Sequence, residues 1–130
     1  MIKEIKTQFY NILTNDLGYR VMDNPYEQEP QQFPYLLMRL GNTTRDVYKN
    51  CFQYTFKFTI DIFSDYNGEA EILEMEQAIF EAAQNLYQNE NVTYVRESSF
   101  RIIDDKSTGV TRKHGILTYT IVSSGGYINE

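Results

Sequence analysis

The 130-residue sequence contains one cysteine, one histidine and no tryptophan. Because Cys51 is the sole thiol, no disulfide can form within the chain, which suits folding in the cytoplasm. A metal site at His114 would need Asp or Glu for every other ligand. A Ser or Cys triad that uses His114 would need a nucleophile motif, and the neighbours of Cys51 form none. We therefore expect Cys51 to be a buried or edge-strand thiol and His114 to be a solvent-facing strand residue.

Motifs for phosphate binding and membrane insertion are also missing. The sequence contains neither G-x-x-x-x-G-K-[ST] nor G-x-G-x-x-G. No apolar run approaches the about 18–20 residues of a membrane span. The opening segment, MIKEIKTQFYNIL, has charges where a signal peptide has its apolar core. These features predict a soluble protein outside the usual export route, with no membrane contact, no catalytic residue, no metal and no cofactor.

The charge balance is acidic, with 18 acidic and 12 basic residues and a formal net charge of −6. A general nucleic-acid binder needs a basic surface to neutralise phosphates, so this class is disfavoured. An acidic wall remains compatible with a passage through which DNA slides, because like-charge repulsion prevents sticking.

The strongest pattern in the chain runs from Cys51 to Phe63, CFQYTFKFTIDIF. Large apolar residues alternate with polar ones, and a strand places such alternating sets on opposite faces. Burial of each apolar side chain contributes about 1.5–3 kcal/mol, so this strand is predicted to anchor the core. A slip of one residue in the pairing would expose the whole apolar set. That set is Phe52, Tyr54, Phe56, Phe58, Ile60 and Ile62.

Around this strand the sequence predicts a single α+β domain over residues 1–130, with a mostly antiparallel sheet of four to five strands packed against two helices. The other predicted strands cover residues 19–22, 34–40, 92–104 and 110–123, and the predicted helices run from Ile2 to near Asp16 and over residues 69–89. Residues 23–34 contain all three prolines and are expected to form a surface loop. Residues 41–50 are expected to form the extended tip of a hairpin, and residues 124–130 a flexible tail.

The longer helix has an unusually wide apolar surface. One apolar stripe comprises Ile72, Met75, Ile79, Ala82 and Leu86, and a second comprises Leu73, Phe80, Ala83 and Tyr87. Together they cover about half of the circumference, more than one contact with a sheet requires. The simpler interpretation, which we favour, is that this helix packs on both the sheet and the first helix. The alternative is a contact with a neighbouring subunit.

Glu76 falls inside this apolar half of the helix. A buried carboxylate without a partner costs several kcal/mol, so Glu76 needs water or a charged partner. Either it reaches solvent at the edge of the stripe, or it pairs with a basic group, which a second subunit could supply.

Two kinds of charged cluster are candidate sites. An acidic group around the sequence DYNGE resembles part of a calcium loop but has neither its twelve-residue spacing nor its terminal bidentate Glu. Turn and helix-capping chemistry accounts for these residues equally well. The group consists of Asp61, Asp65, Asn67 and Glu69.

Basic residues form two short patches, for which ordinary surface charge is the simpler explanation. The alternative is pairing with acidic neighbours in an oligomer. The patches are Arg39, Arg45 and Lys49 in one case and Arg112, Lys113 and His114 in the other.

The order of segments resembles the tail-completion or tail-terminator proteins of long-tailed (siphovirus-type) bacteriophages or prophages. The resemblance runs from the first helix to the last strand. It is carried by the opening amphipathic helix, FPYLLMRLG after the proline-rich loop, the polar connection ending near Lys49, the junction IDIFSDYNGEAEI, the helix EAEILEMEQAIFEA and the closing GILTYTIV.

This resemblance implies a structural role without catalysis. Proteins of that family end the tail tube at its head-proximal end and join the tail to the head, as rings, usually hexameric, around the DNA channel. The implied partners are further copies of the chain, the tail tube protein and head connector proteins, with DNA only as passing cargo. The implied location is the virion, after assembly in the host cytoplasm. Candidate contact residues are Arg45, Lys49, Glu76, Arg112 and Lys113, with residues 41–50 as the docking tip.

Three alternatives stay open at this stage. One is a different head–tail connector or neck protein. The second is a small metal-dependent hydrolase that uses Asp61, Asp65 and Glu69. The third is a small ligand-binding domain with an aromatic pocket.

Overall fold

The computed structural model describes residues 2–22, 32–66, 68–106 and 112–126. It confirms the α+β class, with one mostly antiparallel five-stranded sheet and two helices. The elements are α1 (Ile2–Asn11) with a π-helical extension (Ile12–Asp16), β1 (Val21–Met22), β2 (Tyr35–Val47), β3 (Cys51–Ser64), α2 (Ala70–Ala83) with a 3-10 extension (Gln84–Gln88), β4 (Val92–Asp105) and β5 (Arg112–Gly126). Most of the loop predicted over residues 23–34 and residues 127–130 of the predicted tail lie outside the described residues.

The sheet has the strand order β1-β2-β3-β5-β4, so the predicted anchor strand is its middle strand. β3 pairs antiparallel with β2 on one side and with β5 on the other. Pairing with β5 spans the whole of β3, from Cys51 opposite Gly126 to Ser64 opposite Lys113. β1 is short and pairs parallel with β2.

The core lies between one face of this sheet and the two helices. The ring of Phe9 in α1 meets Phe58 edge-on at a centroid distance of 5.8 Å and Tyr119 of β5 at 5.6 Å. Edge-to-face aromatic pairs contribute about 0.5–1.5 kcal/mol beyond the area they bury. Ile72 and Ile79 of α2 are fully buried over the same face. The predicted role of β3 as core anchor therefore holds for its second half, where every apolar side chain from Phe56 to Ile62 is buried.

Two strands are longer, and one α-helix is shorter, than predicted. β2 was expected to end at Leu40, but it continues to Val47 across a register irregularity between Leu40 and Thr43. β5 was expected to end at Ser123, and it continues to Gly126. In both cases pairing with the long β3 keeps polar or glycine-rich backbone extended, although hydrophobic alternation is weak there. The α-helical part of the second helix is shorter than predicted, because its last turn tightens to 3-10 geometry.

Gly115 in β5 lies close against Ile72 of α2. A Cβ at this position would lie 2.7 Å from Cγ2 of Ile72 and 3.4 Å from Cβ of Ile62, and both isoleucines are fully buried. We expect Gly115→Ala to lower the free energy of unfolding by about 1–3 kcal/mol, because packed neighbours must shift. Urea unfolding followed by circular dichroism measures this.

Gly41→Ala is the matched control, because its new Cβ would find its nearest neighbour, the carbonyl oxygen of Lys57, at an ordinary 3.5 Å. This variant should be as stable as the parent chain. Equal stability of Gly115→Ala and the parent would contradict the tight packing of α2 on β5.

Candidate functional site

The sheet extends well beyond its helices at one end. All nine residues of β2 from Arg39 to Val47 are exposed, and the first five residues of β3 are only half-buried, whereas burial begins at Phe56. We call residues 43–55, which comprise the ends of β2 and β3 and the turn between them, the distal hairpin. Its strands stay paired up to Val47 opposite Phe52.

One face of the distal hairpin continues the apolar face of the core. Side chains alternate along a strand, so Phe52 and Tyr54 project to the same side as Phe56. The cross-strand pairs place Arg45 opposite Tyr54 and Val47 opposite Phe52 on that side. Together these four residues line a depression of about 310 Å³. We call them the hairpin face.

Within the hairpin face, Arg45 and Val47 are exposed, whereas Phe52 and Tyr54 are half-buried. The rings of Phe52 and Tyr54 meet edge-on at 5.5 Å, and the Arg45 guanidinium lies 5.9 Å from the centre of the Tyr54 ring. Val47 nevertheless remains 63% exposed. An apolar surface with an adjoining cation is typical of a protein–protein contact, where aromatic residues and Arg are enriched.

A second apolar surface lies on the outside of α2. Leu73, Phe80 and Tyr87 are spaced seven residues apart, so they share one side of the helix. Their side chains are 48%, 41% and 43% exposed. The interpretation that the whole apolar width of this helix packs within its own chain is therefore wrong for these three residues. The residues that α2 and its 3-10 extension bury are Ile72, Met75, Ile79, Ala83 and Leu86.

Glu76 lies beside another acid, Glu97 of β4, with which it shares a side-chain hydrogen bond. The hydroxyl of the buried Tyr119 donates to Oε1 of Glu97 over 3.3 Å. Burial, followed by the hydrogen bond to Glu76 and its negative charge, raises the pKa of Glu97 to about 7. Burial and the neighbouring Glu97 raise the pKa of Tyr119, which keeps its hydroxyl protonated as the donor. The basic partner expected for Glu76 stays a prediction for a neighbouring subunit.

On the opposite face of the sheet, the buried Asp61 is the centre of an ionic network that reaches the surface at Arg39, whose side chain is 49% exposed. Only 3% of Asp61 is exposed. Its Oδ2 accepts hydrogen bonds from Nη2 of Arg39 at 2.7 Å and Nε at 3.1 Å, and its Oδ1 lies 2.9 Å from Nε2 of His114. His114 is thus half-buried and engaged with Asp61, so its prediction as a solvent-facing residue was wrong.

Stacked rings continue from this network across the same face. Phe63 stacks on the His114 imidazole at 4.4 Å and on Tyr35 at 4.8 Å. Phe33 lies 5.3 Å from Tyr35, and the Arg112 guanidinium lies 4.6 Å over the Phe33 ring. These contacts occupy the rings with one another, so they form a packed patch and not an open aromatic pocket.

The predicted basic patch at residues 112–114 is divided by strand alternation. Arg112 and His114 lie on the face of Asp61, whereas Lys113 lies on the other face and donates to Oδ1 of Asp104 over 2.6 Å. Arg39 is likewise held by Asp61, which separates it from Arg45 in the distal hairpin. Lys49 lies in the turn of the distal hairpin.

The acidic cluster is also divided. Asp61 is committed to Arg39 and His114, and Asp65 is exposed beyond the end of β3. At the junction with α2, the Ser64 hydroxyl donates to Glu71 and accepts the backbone N–H of Tyr66 at 3.1 Å. Asn67 lies outside the described residues. Within residues 2–22, 32–66, 68–106 and 112–126, no group of three His, Cys, Asp or Glu side chains is placed to hold a metal ion.

Arg45 and Val47 lie in the segment 41–50 that was predicted as a docking tip, but Phe52 and Tyr54 were assigned to the core, although a signal against that assignment exists. β3 has 14 residues and spans about 46 Å, whereas the 14 residues of α2 span about 21 Å. A helix of that length cannot cover a strand of that length. None of the described helices has the length and apolar character needed to span a membrane.

Comparisons with known proteins find likeness among solved structures but not among families or curated sequences. No family model matches the sequence, and no curated protein matches it. Among solved structures, a chain of "Virion of native gene transfer agent (GTA) particle" is similar with 17% identity and a TM-score of 0.49. The likeness covers 90% of this chain and 92% of that chain.

Removal of the Asp61 carboxylate should destabilise the fold. Asp61→Ala leaves the half-buried His114 and the half-exposed Arg39 without their shared acceptor, and we expect a loss of about 1–3 kcal/mol in the free energy of unfolding. Asp65→Ala, at an exposed position of the same acidic cluster, should change it by less than about 0.5 kcal/mol. Urea unfolding of both variants tests this, and equal effects would show that the network contributes nothing to stability.

The raised pKa of Glu97 makes stability depend on pH. Because the folded state favours the protonated form of Glu97, protonation of this acid stabilises the fold. This stabilisation is complete below about pH 4.5 and disappears as the pH rises through about 7. Because solvent screens this half-exposed carboxyl, we expect its effect on the free energy of unfolding to change by only about 1 kcal/mol between pH 4.5 and pH 8. Glu97→Gln should remove this part of the pH dependence and be more stable than the parent at pH 8.

The control for this measurement is Glu90→Gln, which changes the same functional group at an exposed position. Its stability should follow the parent chain at every pH between 4.5 and 8. If the stability of Glu97→Gln also followed that of the parent at every pH, this would contradict the proposed effect of Glu76 and burial on the pKa of Glu97.

Proposed function

We propose that this chain is a structural protein of a phage-type virion that acts through association with other chains, without catalysis. The observation that carries the proposal is the large apolar side chains at the surface: Val47 in the distal hairpin is 63% exposed, and Leu73 and Phe80 on α2 are 48% and 41% exposed. Burial of such a surface is favourable by about 25 cal/mol per Å², and another chain can supply the cover.

The specific role that we propose is tail termination, as the resemblance of the sequence implies. In this proposal copies of the chain form a ring, with six as the expected number, at the head-proximal end of the tail tube. The ring stops the growth of the tube and offers its other side to the head connector proteins. DNA passes through it as cargo, and the acidic balance of the chain limits sticking. Arg45 and Lys49 belong to the contacting hairpin, and Glu76, Arg112 and Lys113 are further candidates for contacts.

A pair of variants tests whether the hairpin face makes the contact. Val47 and Phe52 are opposite each other on that face, and Thr44 and Thr55 are opposite each other on the reverse face. Val47→Asp with Phe52→Asp should abolish ring formation, because two carboxylates would have to be buried. Thr44→Asp with Thr55→Asp adds the same charges in the same pairing geometry and should leave rings intact. Light scattering and negative-stain imaging report the outcome.

Two results would count against the proposal. The first is a parent chain that stays monomeric at every concentration, even with tail tubes present. The second is a Val47 and Phe52 double variant that still forms rings. Binding assays with purified tail tubes and with head connectors separate a tail terminator from another head–tail connector or neck protein.

A further inference from the structure

We propose that, in the assembled ring, helix α1 of one copy packs against helix α2 of the next. This inference rests on the proposed ring and names two helix surfaces that meet in it. The first surface, which we call the α1 basic flank, consists of Lys3, Lys6, Thr7 and Tyr10. The second surface, which we call the α2 edge flank, consists of Leu73, Glu76, Phe80 and Tyr87.

The α2 edge flank lies at the edge of the sheet, on the side of α2 that is away from α1. α1 packs over the inner strands β3 and β5. Tyr87 instead reaches the edge strand β4, since its hydroxyl accepts the backbone N–H of Val95 over 2.8 Å. Glu76 meets Glu97 of the same strand. The two exposed apolar residues of this flank lie one turn before and one turn after Glu76, and each is more than 40% exposed.

The α1 basic flank faces the other way. α1 meets the 3-10 extension of α2 through Gln8, whose Nε2 donates to the carbonyl oxygen of Asn85 over 3.1 Å. Lys6 and Tyr10 are each two positions from Gln8, so they lie about 160° from it around the helix. Lys3 is three positions before Lys6 and shares its side. The α1 basic flank therefore faces away from α2.

The two flanks thus lie on opposite sides of one layer of helices. When copies stand side by side, the α1 basic flank of one copy meets the α2 edge flank of the next. Such a contact is heterologous, and each copy keeps one flank of each kind for a further neighbour. The contacts form a closed ring when the rotation between copies closes. One repeated contact between helix layers therefore accounts for the assembly.

The two flanks are complementary in shape and in apolar character. The side chains of the α1 basic flank line a depression of about 260 Å³. Tyr10 is half-buried and packs against the core, so this depression has an aromatic wall. On the α2 edge flank, Leu73 and Phe80 form an exposed apolar ridge. Ridges of one helix pack into grooves of another, and burial of this ridge would favour association.

Opposite charges favour the same pairing. Burial, the hydrogen bond to Glu76 and its negative charge raise the pKa of Glu97 to about 7, and a cation beside the two acids would relieve their repulsion. No described residue forms an ion pair with Lys3 or Lys6. The acid of α1, Glu4, is two positions from Lys6 and lies on the other side of the helix. A neighbouring copy can therefore bring two free ammonium groups to the acid pair.

Basic residues of the strands are directed to the other face of the sheet. Lys57 lies between the buried Phe56 and Phe58, and Arg101 follows Phe100, which packs against the core. Alternation therefore places Lys57 and Arg101 on the reverse face, away from the helices. The α1 basic flank shares the helix layer with the acid pair, so side-by-side copies can join them.

Two double variants, each with one altered flank, test the pairing. Leu73→Glu with Phe80→Glu introduces carboxylates that the contact would have to bury. Lys3→Glu with Lys6→Glu places acids against the acid pair of the next copy. Each double variant should raise the protein concentration at half-assembly by about 30-fold. Analytical ultracentrifugation measures that concentration, and circular dichroism checks that each variant is folded.

An equimolar mixture of the two double variants identifies the partner of each flank. The first variant keeps an intact α1 basic flank, and the second keeps an intact α2 edge flank, so a mixed pair has one intact contact. At a concentration at which neither variant assembles alone, the mixture should form 1:1 heterodimers and no rings. If each flank contacted some other surface instead, each variant would form dimers by itself, and this would overturn the pairing.

Tyr94→Glu with Ile103→Glu is the matched control, because these two residues of β4 are apolar and exposed to a similar degree as Leu73 and Phe80. Tyr94 precedes the buried Val95, and Ile103 is paired with His114, so both project from the reverse face of the sheet. This variant should assemble at the parent concentration. An equal loss of assembly in the control and in the flank variants would contradict the pairing.

The remaining outcomes separate this inference from the proposed function. A parent chain that never forms rings would overturn both. Parent rings together with flank variants that assemble equally well, or a mixture without heterodimers, would overturn the pairing alone. If a flank variant fails to fold, Leu73→Ser with Phe80→Ser or Lys3→Gln with Lys6→Gln replaces it. These milder variants should raise the half-assembly concentration by about tenfold and give the same heterodimers.

Discussion

The alternation of apolar and polar side chains along β3 is the constraint on which the rest of this structure depends. It directs Phe56, Phe58, Ile60 and Ile62 into the core beneath both helices, and it holds β2 and β5 in register on either side. The same alternation continues past the helices to Tyr54 and Phe52. One rule thus generates both the buried core and an exposed surface of the same chemistry.

The sequence was informative where periodicity was strong. The alternation of β3 and the stripe of Ile72, Met75 and Ile79 were sufficient to predict the sheet, the helices and the main core residues. The ends of the strands were not predictable in this way, because residues such as Thr43 and Gly125 are extended through pairing with β3 and not through their own pattern. The part that Phe52 and Tyr54 play in the candidate surface was missed, because both were assigned to the core although β3 is much longer than α2.

Long-range partners were beyond the reach of sequence patterns. Asp61 and His114 are 53 positions apart and meet only because β3 and β5 are neighbours in the sheet. Glu76 and Glu97 meet because α2 crosses β4. Neither residue type nor spacing marks such pairs in advance. By contrast, the exposure of Leu73, Phe80 and Tyr87 follows from a feature that the sequence already contained, since a helix with more apolar surface than one sheet can cover presents the rest to solvent.

Zero-length cross-linking of a mixture of 14N- and 15N-labelled protein tests the central claim most directly. A carbodiimide joins a lysine amine only to a carboxylate in contact with it, and mixed-isotope products identify links between copies. The account predicts mixed-isotope links between Lys49 of one copy and a carboxylate of another copy in the assembled protein. Links from Lys49 that all stay within one copy would contradict it.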